Sequence, residues 1–219
     1  FGHAGEYAIR DWFEHPKHQH LLISLTPEQR ADVCQFEGNA QGLRVLSRLE
    51  YHPDDGGMRL TYATLGAYLK YPWLARPMDP TSLHPSHKRA KFGCYQSEKA
   101  ILLEIAEHLG LLQTGDYQFC RHPLTYLLEA ADDICYALID LEDGLQLGML
   151  HYHEVEPLFL TLIADYGAPD EIGHNVPIPQ KLAALRGRAM KRLVDEVTDA
   201  FKRQHDQILA GQPKGSLLD

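Results

Sequence analysis

Residues 129–143, EAADDICYALIDLED, hold six acids (Glu129, Asp132, Asp133, Asp140, Glu142 and Asp143) and no lysine or arginine, and the other positions are largely apolar. At 3.6 residues per turn, Asp132, Tyr136, Asp140 and Asp143 line one side of a helix, with Ile134, Leu138 and Leu141 on another. An exposed acidic face ordinarily carries lysines at helical spacing as well. A helix apolar on most sides is expected to be buried, and buried carboxylates need pairing or a metal. The stretch therefore reads as a buried helix whose acids face a cation; the plainer alternative is a solvated acidic face. Hard divalent cations take oxygen ligands and keep positions open for phosphate oxygens.

Outward from this stretch the chain reads as helix after helix. The acidic segment extends over 122–144, with Pro123 in its first turn and Gly144 as its stop. Upstream, FEGNAQGLRVLSRLE (36–50) spaces Phe36, Ala40, Leu43, Leu46 and Leu49 as one apolar stripe. LTYATLGAYLKYP (60–72) is a helix that Pro72 ends near Tyr71. SEKAILLEIAEHLG (97–110) has Ser97 as N-cap and Gly110 as C-terminal stop. Downstream come EVEPLFLTLIADYG (154–167) and one long helix over 179–209. Residues 75–93 and 166–179 are proline-rich loops. No alternating strand and no internal repeat is visible, so the expectation is one all-α region over 1–219.

The 219 residues are enough for a sizeable core, and 44% hydrophobic with 23% charged residues is ordinary for a globular chain. A net charge of −9 argues against a surface built wholly for nucleic acid. Cys34, Cys94, Cys120 and Cys135 are scattered without a CxxC, which fits reduced thiols and a cytoplasmic location. No apolar run is long enough to span a membrane. The opening at Phe1, without Met or a leader pattern, reads as a cut from something longer. His15, His18 and His20 (HPKHQH) read as a solvated loop.

FGHAGE (1–6) places His3 and Glu6 three residues apart, on one face of a helix that starts near Ala4. A histidine oriented by a carboxylate is a competent acid–base pair near neutral pH. Taken with FEGNAQ (36–41), KYP (70–72), KFG (91–93), EAADDICYALIDLEDG (129–144) and, more loosely, LRGRAMKRLV (185–194), the chain resembles the deoxynucleoside triphosphate triphosphohydrolases, the dGTPase-like branch of the HD-domain superfamily. The motifs stand in that family's order over nearly the whole chain.

The resemblance implies an HD-domain-like helical bundle and a divalent metal (Mg, Mn or another transition metal), with Asp132 as a ligand. It implies His3 and Glu6 as the catalytic pair. Tyr136 and Asp140 match positions at the sugar 3′-hydroxyl and nearby phosphate, with tyrosine stacking that excludes a 2′-hydroxyl. Lys70, Tyr71 and Lys91 match positions near the triphosphate, and Asn39 a position that braces the site; in the basic run of the late helix, Arg186 is the candidate for a phosphate contact, against a solvated helix face. The implied reaction is attack of water at the α-phosphorus of a dNTP, giving a deoxynucleoside and tripolyphosphate. Homo-oligomers and a nucleotide effector or single-stranded DNA are the implied partners. The basic run Lys181, Arg186, Arg188, Lys191, Arg192, Lys202 and Arg203 is where DNA would bind, against the plainer reading of a solvated helix face.

The family's single His and its His-Asp doublet precede FGHAGE, so the chain reads as a central piece that lacks three of the four expected metal ligands. A non-catalytic nucleotide-binding module and an HD phosphohydrolase acting on another phosphoester are therefore the alternatives. FEGNAQ and the Tyr136/Asp140 pair argue against the second.

Overall fold

Local capping and apolar spacing set most element boundaries in the computed structural model, which describes residues 2–50, 57–77, 91–166, 176–213 and 215–218. Contacts divide the chain into two compact units, Phe1–Thr125 and Tyr126–Asp219. Residues 78–90 and 167–175, which hold much of the two expected loops, lie outside the described residues. No helix among the described residues is long and apolar enough to cross a membrane, and the four cysteines form no disulfide.

In the first unit, α1 (Gly2–Glu14) leads through a 3-10 segment (Pro16–Leu22) to α2 (Pro27–Cys34). Thr26 and Gln29 close α2 with a reciprocal capping box. Then follow α3 (Gly38–Arg44), α4 (Tyr62–Tyr68) and α5 (Lys99–Leu109). Gly110 ends α5 with φ +61°, the left-handed stop expected there. The core gathers Leu43, Leu65, Leu69, Leu102 and Ile105, and a smaller cluster joins Ala31, Ala40, Phe92 and Tyr95.

Four expectations for this unit are corrected. The stripe from Phe36 to Leu49 does not hold to its end, because Val45–Leu49 forms a π turn. That turn takes more than 3.6 residues, so Leu49 rotates out and is 63% exposed. The helix before Pro72 ends at Tyr68, since Leu69 already leaves helical geometry with ψ 87°. Ser97 caps nothing: it lies in a 3-10 turn (Gln96–Glu98), where its hydroxyl takes a bond from Arg44 and gives one to Glu98. Lastly, there is a small antiparallel hairpin, β1 (Gln113–Gly115) and β2 (Gln118–Phe119). Strands this short show no alternation in sequence.

In the second unit the acidic helix α6 (Pro123–Gln146, its first residues in the first unit) precedes α7 (Tyr152–Leu162), α8 (Ile178–Arg203) and α9 (His205–Leu209). The expected single helix over 179–209 is broken at Gln204, whose ψ is 5°. Gly144 does not stop α6. Leu150 packs so closely on it that a Cβ would meet Leu150 Cδ1 at 2.8 Å. The left-handed turn comes at Gly148, φ +69°. Tyr126, Ala130, Ile134 and Leu138 recur every four residues on α6 and bury against Val155, Phe159, Leu182, Leu185 and Ala189.

That stripe corrects the reading of α6 as a helix buried on most sides. Asp132, Asp133, Asp140 and Asp143 are exposed, and Tyr136 is 63% exposed. Water can solvate these carboxylates, so burial alone does not demand a cation beside them.

Candidate active site

Helix α1 starts at Gly2, whose φ of +55° sets the first turn. One turn in, His3 Nδ1 lies 3.2 Å from Glu6 Oε2. The imidazole stands 71% exposed above a carboxylate that is 13% exposed. The pair thus offers a reachable ring nitrogen oriented from behind, the arrangement an acid–base histidine needs.

The other oxygen of Glu6 is held from FEGNAQ. Gly38 N–H donates to Glu6 Oε1 at 3.0 Å. The approach depends on glycine: a Cβ there would lie 2.6 Å from that oxygen. Burial raises the Glu6 carboxyl, but the His3 hydrogen bond, the Gly38 N–H and the charges of Lys91 and His3 outweigh it, holding it below its ordinary value.

The residues on either side of Gly38 extend the network. Glu37 is fully buried. Its carboxylate accepts from Asn39 Nδ2 at 2.7 Å, lies 3.1 Å from Lys91 Nζ and 3.4 Å from Arg10 Nη2. Arg10, 5% exposed, also gives its Nε–H to Phe36 O at 2.7 Å. Lys91 Nζ reaches Glu6 Oε2 as well, at 3.7 Å. Two carboxylates and two cations therefore interlock, and each buried charge has an opposite partner.

Of the residues expected at the site, His3, Glu6, Asn39 and Lys91 are brought together here. Lys70 and Tyr71 follow α4 on a segment that runs beside 91–93. Trp73 Nε1 donates to Lys91 O at 2.6 Å, and Gly93 N–H donates to Trp73 O at 3.2 Å. Gly93 packs against Tyr71 so tightly that a Cβ would meet Tyr71 O at 2.3 Å. The Arg121 guanidinium lies 5.5 Å from the Tyr71 ring centroid. Glu37 and Arg10 were missed by sequence reasoning. Their partners lie far off in sequence, Phe36 and Glu37 for Arg10 and Lys91 for Glu37, so no local pattern marks them.

Within the second unit, Asp132, Tyr136 and Asp140 share one exposed face of α6. Arg186 of α8 is ion-paired with Glu142 of α6, which supplies one of the six acids with a cation. Much of the basic run on α8 is likewise engaged by acids: Lys191 with Asp195 at 2.6 Å, Arg192 with Glu196 at 2.9 Å and Lys202 with Asp199 at 3.5 Å. The HPKHQH histidines serve local structure, with His18 stacked 3.9 Å from Trp12 and bonded to its carbonyl.

Among the described residues, no three His, Cys, Asp or Glu side chains converge as a metal-binding group. The described residues thus do not by themselves fit a complete metal centre.

No protein-family model matches the chain. A deoxyguanosinetriphosphate triphosphohydrolase-like protein of Pseudomonas aeruginosa is 50% identical over 222 aligned positions, which take in 100% of this chain and 49% of the relative. Proteins of the same name from Synechocystis and Listeria monocytogenes are 40% and 35% identical, each over 100% of this chain and over 50% and 49% of the relative. The chain spans about half the length of these curated relatives.

Proposed function

Because the chain belongs by sequence, over its whole length, to the deoxyguanosinetriphosphate triphosphohydrolase-like proteins, we propose that its protein hydrolyses deoxynucleoside triphosphates, dGTP-like, to a deoxynucleoside and tripolyphosphate. The observation that supports this most is the exposed His3 held on Glu6, 3.2 Å away, with the Lys91 ammonium in the same network.

The chemistry is a displacement at the α-phosphorus. The oxygen of water bonds to phosphorus, the bond to O5′ breaks, and O5′ leaves with a proton as the deoxynucleoside. His3 can take the proton of the attacking water or supply the one that O5′ needs, and Glu6 fixes its ring for either task. Lys91 and Lys70 balance charge on the phosphate chain, a role suited to compact ammonium groups. Asn39 braces Lys91 through Glu37, and Tyr71 would approach the triphosphate from the segment beside Gly93. On α6, Tyr136 would stack on the deoxyribose and Asp140 accept its 3′-hydroxyl, while Arg186 would contact phosphate.

A divalent metal (Mg, Mn or another transition metal) belongs to this proposal with Asp132 as one ligand, and when bound it would supply Lewis-acid stabilisation of phosphate oxygens. The described residues do not assemble the rest of its ligand set, and no step is derived through it. The HD-type bundle, a cytoplasmic homo-oligomer and a nucleotide effector or single-stranded DNA as partner are parts of the same reading. For DNA, the engaged basic side chains of α8 favour a solvated face.

The test is an assay of the intact protein with dGTP, scoring tripolyphosphate against pyrophosphate and monophosphate. Tripolyphosphate release that disappears in His3→Ala supports the reading. Pyrophosphate or monophosphate as the only product moves the protein to another phosphoester chemistry. Nucleotide binding without hydrolysis makes it the non-catalytic module.

A further inference from the structure

We propose that Glu37 is a positioning residue for substrate, setting the places of the Lys91 ammonium and the Asn39 amide from beneath; this rests on the proposed function. Glu37 stands at the N-terminal boundary of α3, where a short polar side chain would normally cap the helix, yet its side chain makes no capping bond. Its carboxylate turns instead into the network and is fully buried there. Burying a charge is costly unless it is paired and hydrogen-bonded, so this placement needs the partners it has.

Those partners differ in reach. Arg10 is 5% exposed and is committed to Phe36 O, so its role toward Glu37 is neutralisation. The Lys91 side chain is 35% exposed, which makes it the cation of the pair that an anionic ligand can touch. Its Nζ lies 3.2 Å from Glu37 Oε1 and 3.1 Å from Oε2. Asn39 shares Oε1 at 2.7 Å. One carboxylate therefore fixes an ammonium and an amide together. From above, the Glu37 backbone carbonyl is itself held by the Tyr95 hydroxyl at 3.2 Å.

A lysine side chain carries large rotamer freedom, and one held in place before binding loses less of it on meeting a phosphate. Glu37→Gln keeps the shape and removes the charge; its single amide oxygen cannot serve Lys91 and Asn39 as the carboxylate does. If Glu37 acts through Lys91, the effect must depend on Lys91 being there.

The experiment is a double-mutant cycle in the intact protein with dGTP as substrate, comparing Glu37→Gln, Lys91→Met and the pair. The expected result is a rise in KM of about tenfold for each single variant, with the pair no worse than Lys91→Met alone, and kcat less affected. Unchanged KM in a folded Glu37→Gln protein, or effects that multiply in the pair, would overturn the positioning role. If Lys91→Met leaves KM unchanged, the reading of Lys91 as a substrate contact fails first and takes this inference with it. Should Glu37→Gln not fold, Glu37→Asp keeps the charge for Arg10 and withdraws it by one methylene, with the same expectations.

Discussion

The backbone N–H of Gly38 donates to Glu6 Oε1 at 3.0 Å, and the same glycine leaves no space for a side chain, since a Cβ would lie 2.6 Å from that oxygen. The obstructed atom is the far end of a flexible side chain, so Gly38→Ala can be accommodated by moving Glu6. That movement takes the carboxylate away from His3. The expected outcome is a fall in kcat/KM of roughly tenfold to a hundredfold with a modest fall in Tm as Glu6 loses the Gly38 N–H, read by kinetics and thermal denaturation on one sample. Wild-type turnover in a folded Gly38→Ala protein would detach FEGNAQ from the chemistry.

His3 and Glu6 should separate function from stability. His3 is largely exposed, so His3→Ala removes turnover and leaves Tm nearly unchanged. Glu6 carries more structure, because Gly38, Arg10 and Lys91 all address it. Its carboxyl is held below the ordinary value of 4.5, so its charged form stabilises the fold above that value. The contribution is lost as pH falls through the lower folded value. Glu6→Gln is therefore expected to lower Tm at pH 7 and to converge with wild type in acid. A Tm gap that widens in acid would contradict the assigned pairing.

How much of this could be read from the sequence depended on the range of the interaction. Local signals held: Gly110 stops α5, and Ile134 and Leu138 bury on one side of α6. The His3–Glu6 contact was legible because three residues on a helix is a fixed distance. Glu37 was not, since it meets Arg10 across 27 residues and Lys91 across 54, and no periodicity encodes that. The π turn at Val45–Leu49 and the packing of Leu150 on Gly144 were hidden for a related reason. Each depends on what lies against the segment. The burial expected around most of α6 did not hold, because only the stripe of Tyr126, Ala130, Ile134 and Leu138 meets other helices, and the pairing of Glu142 with Arg186 of α8 is likewise set across the chain.

On α6, exposure makes a clean test of the proposed roles. Asp132 and Tyr136 are exposed, and for an exposed ring such as Tyr136 a conservative substitution changes stability by about 0.5 kcal/mol or less. In the intact protein, Asp132→Ala is expected to lose turnover and bound metal together, by activity assay and elemental analysis. Tyr136→Phe should keep stability and the ring that stacks on the sugar. Full activity in Asp132→Ala would sink the metal assignment.

Asp32 gives a pH test that is independent of catalysis. Its Oδ2 accepts the Gln96 N–H at 2.7 Å, while Oδ1 is buried without a hydrogen-bond partner among the described residues. Burial pushes its carboxyl from 3.8 up to about 6; Glu98 adds to this, and the Gln96 N–H and the Arg44 charge oppose it. A raised folded value means that the folded protein holds the proton more tightly than the unfolded chain. The resulting stabilisation is fully present below 3.8 and is lost as pH rises through about 6. Asp32→Asn fixes a neutral side chain that can still accept the Gln96 N–H. Thermal denaturation should therefore show it raising Tm by about 3 °C or more at pH 7.5 and by much less in acid, the gap opening as Asp32 ionises. A gap independent of pH would show that Arg44 and Gln96 balance the burial of Asp32, and one that closes as pH rises would show that they outweigh it; either result overturns the assignment.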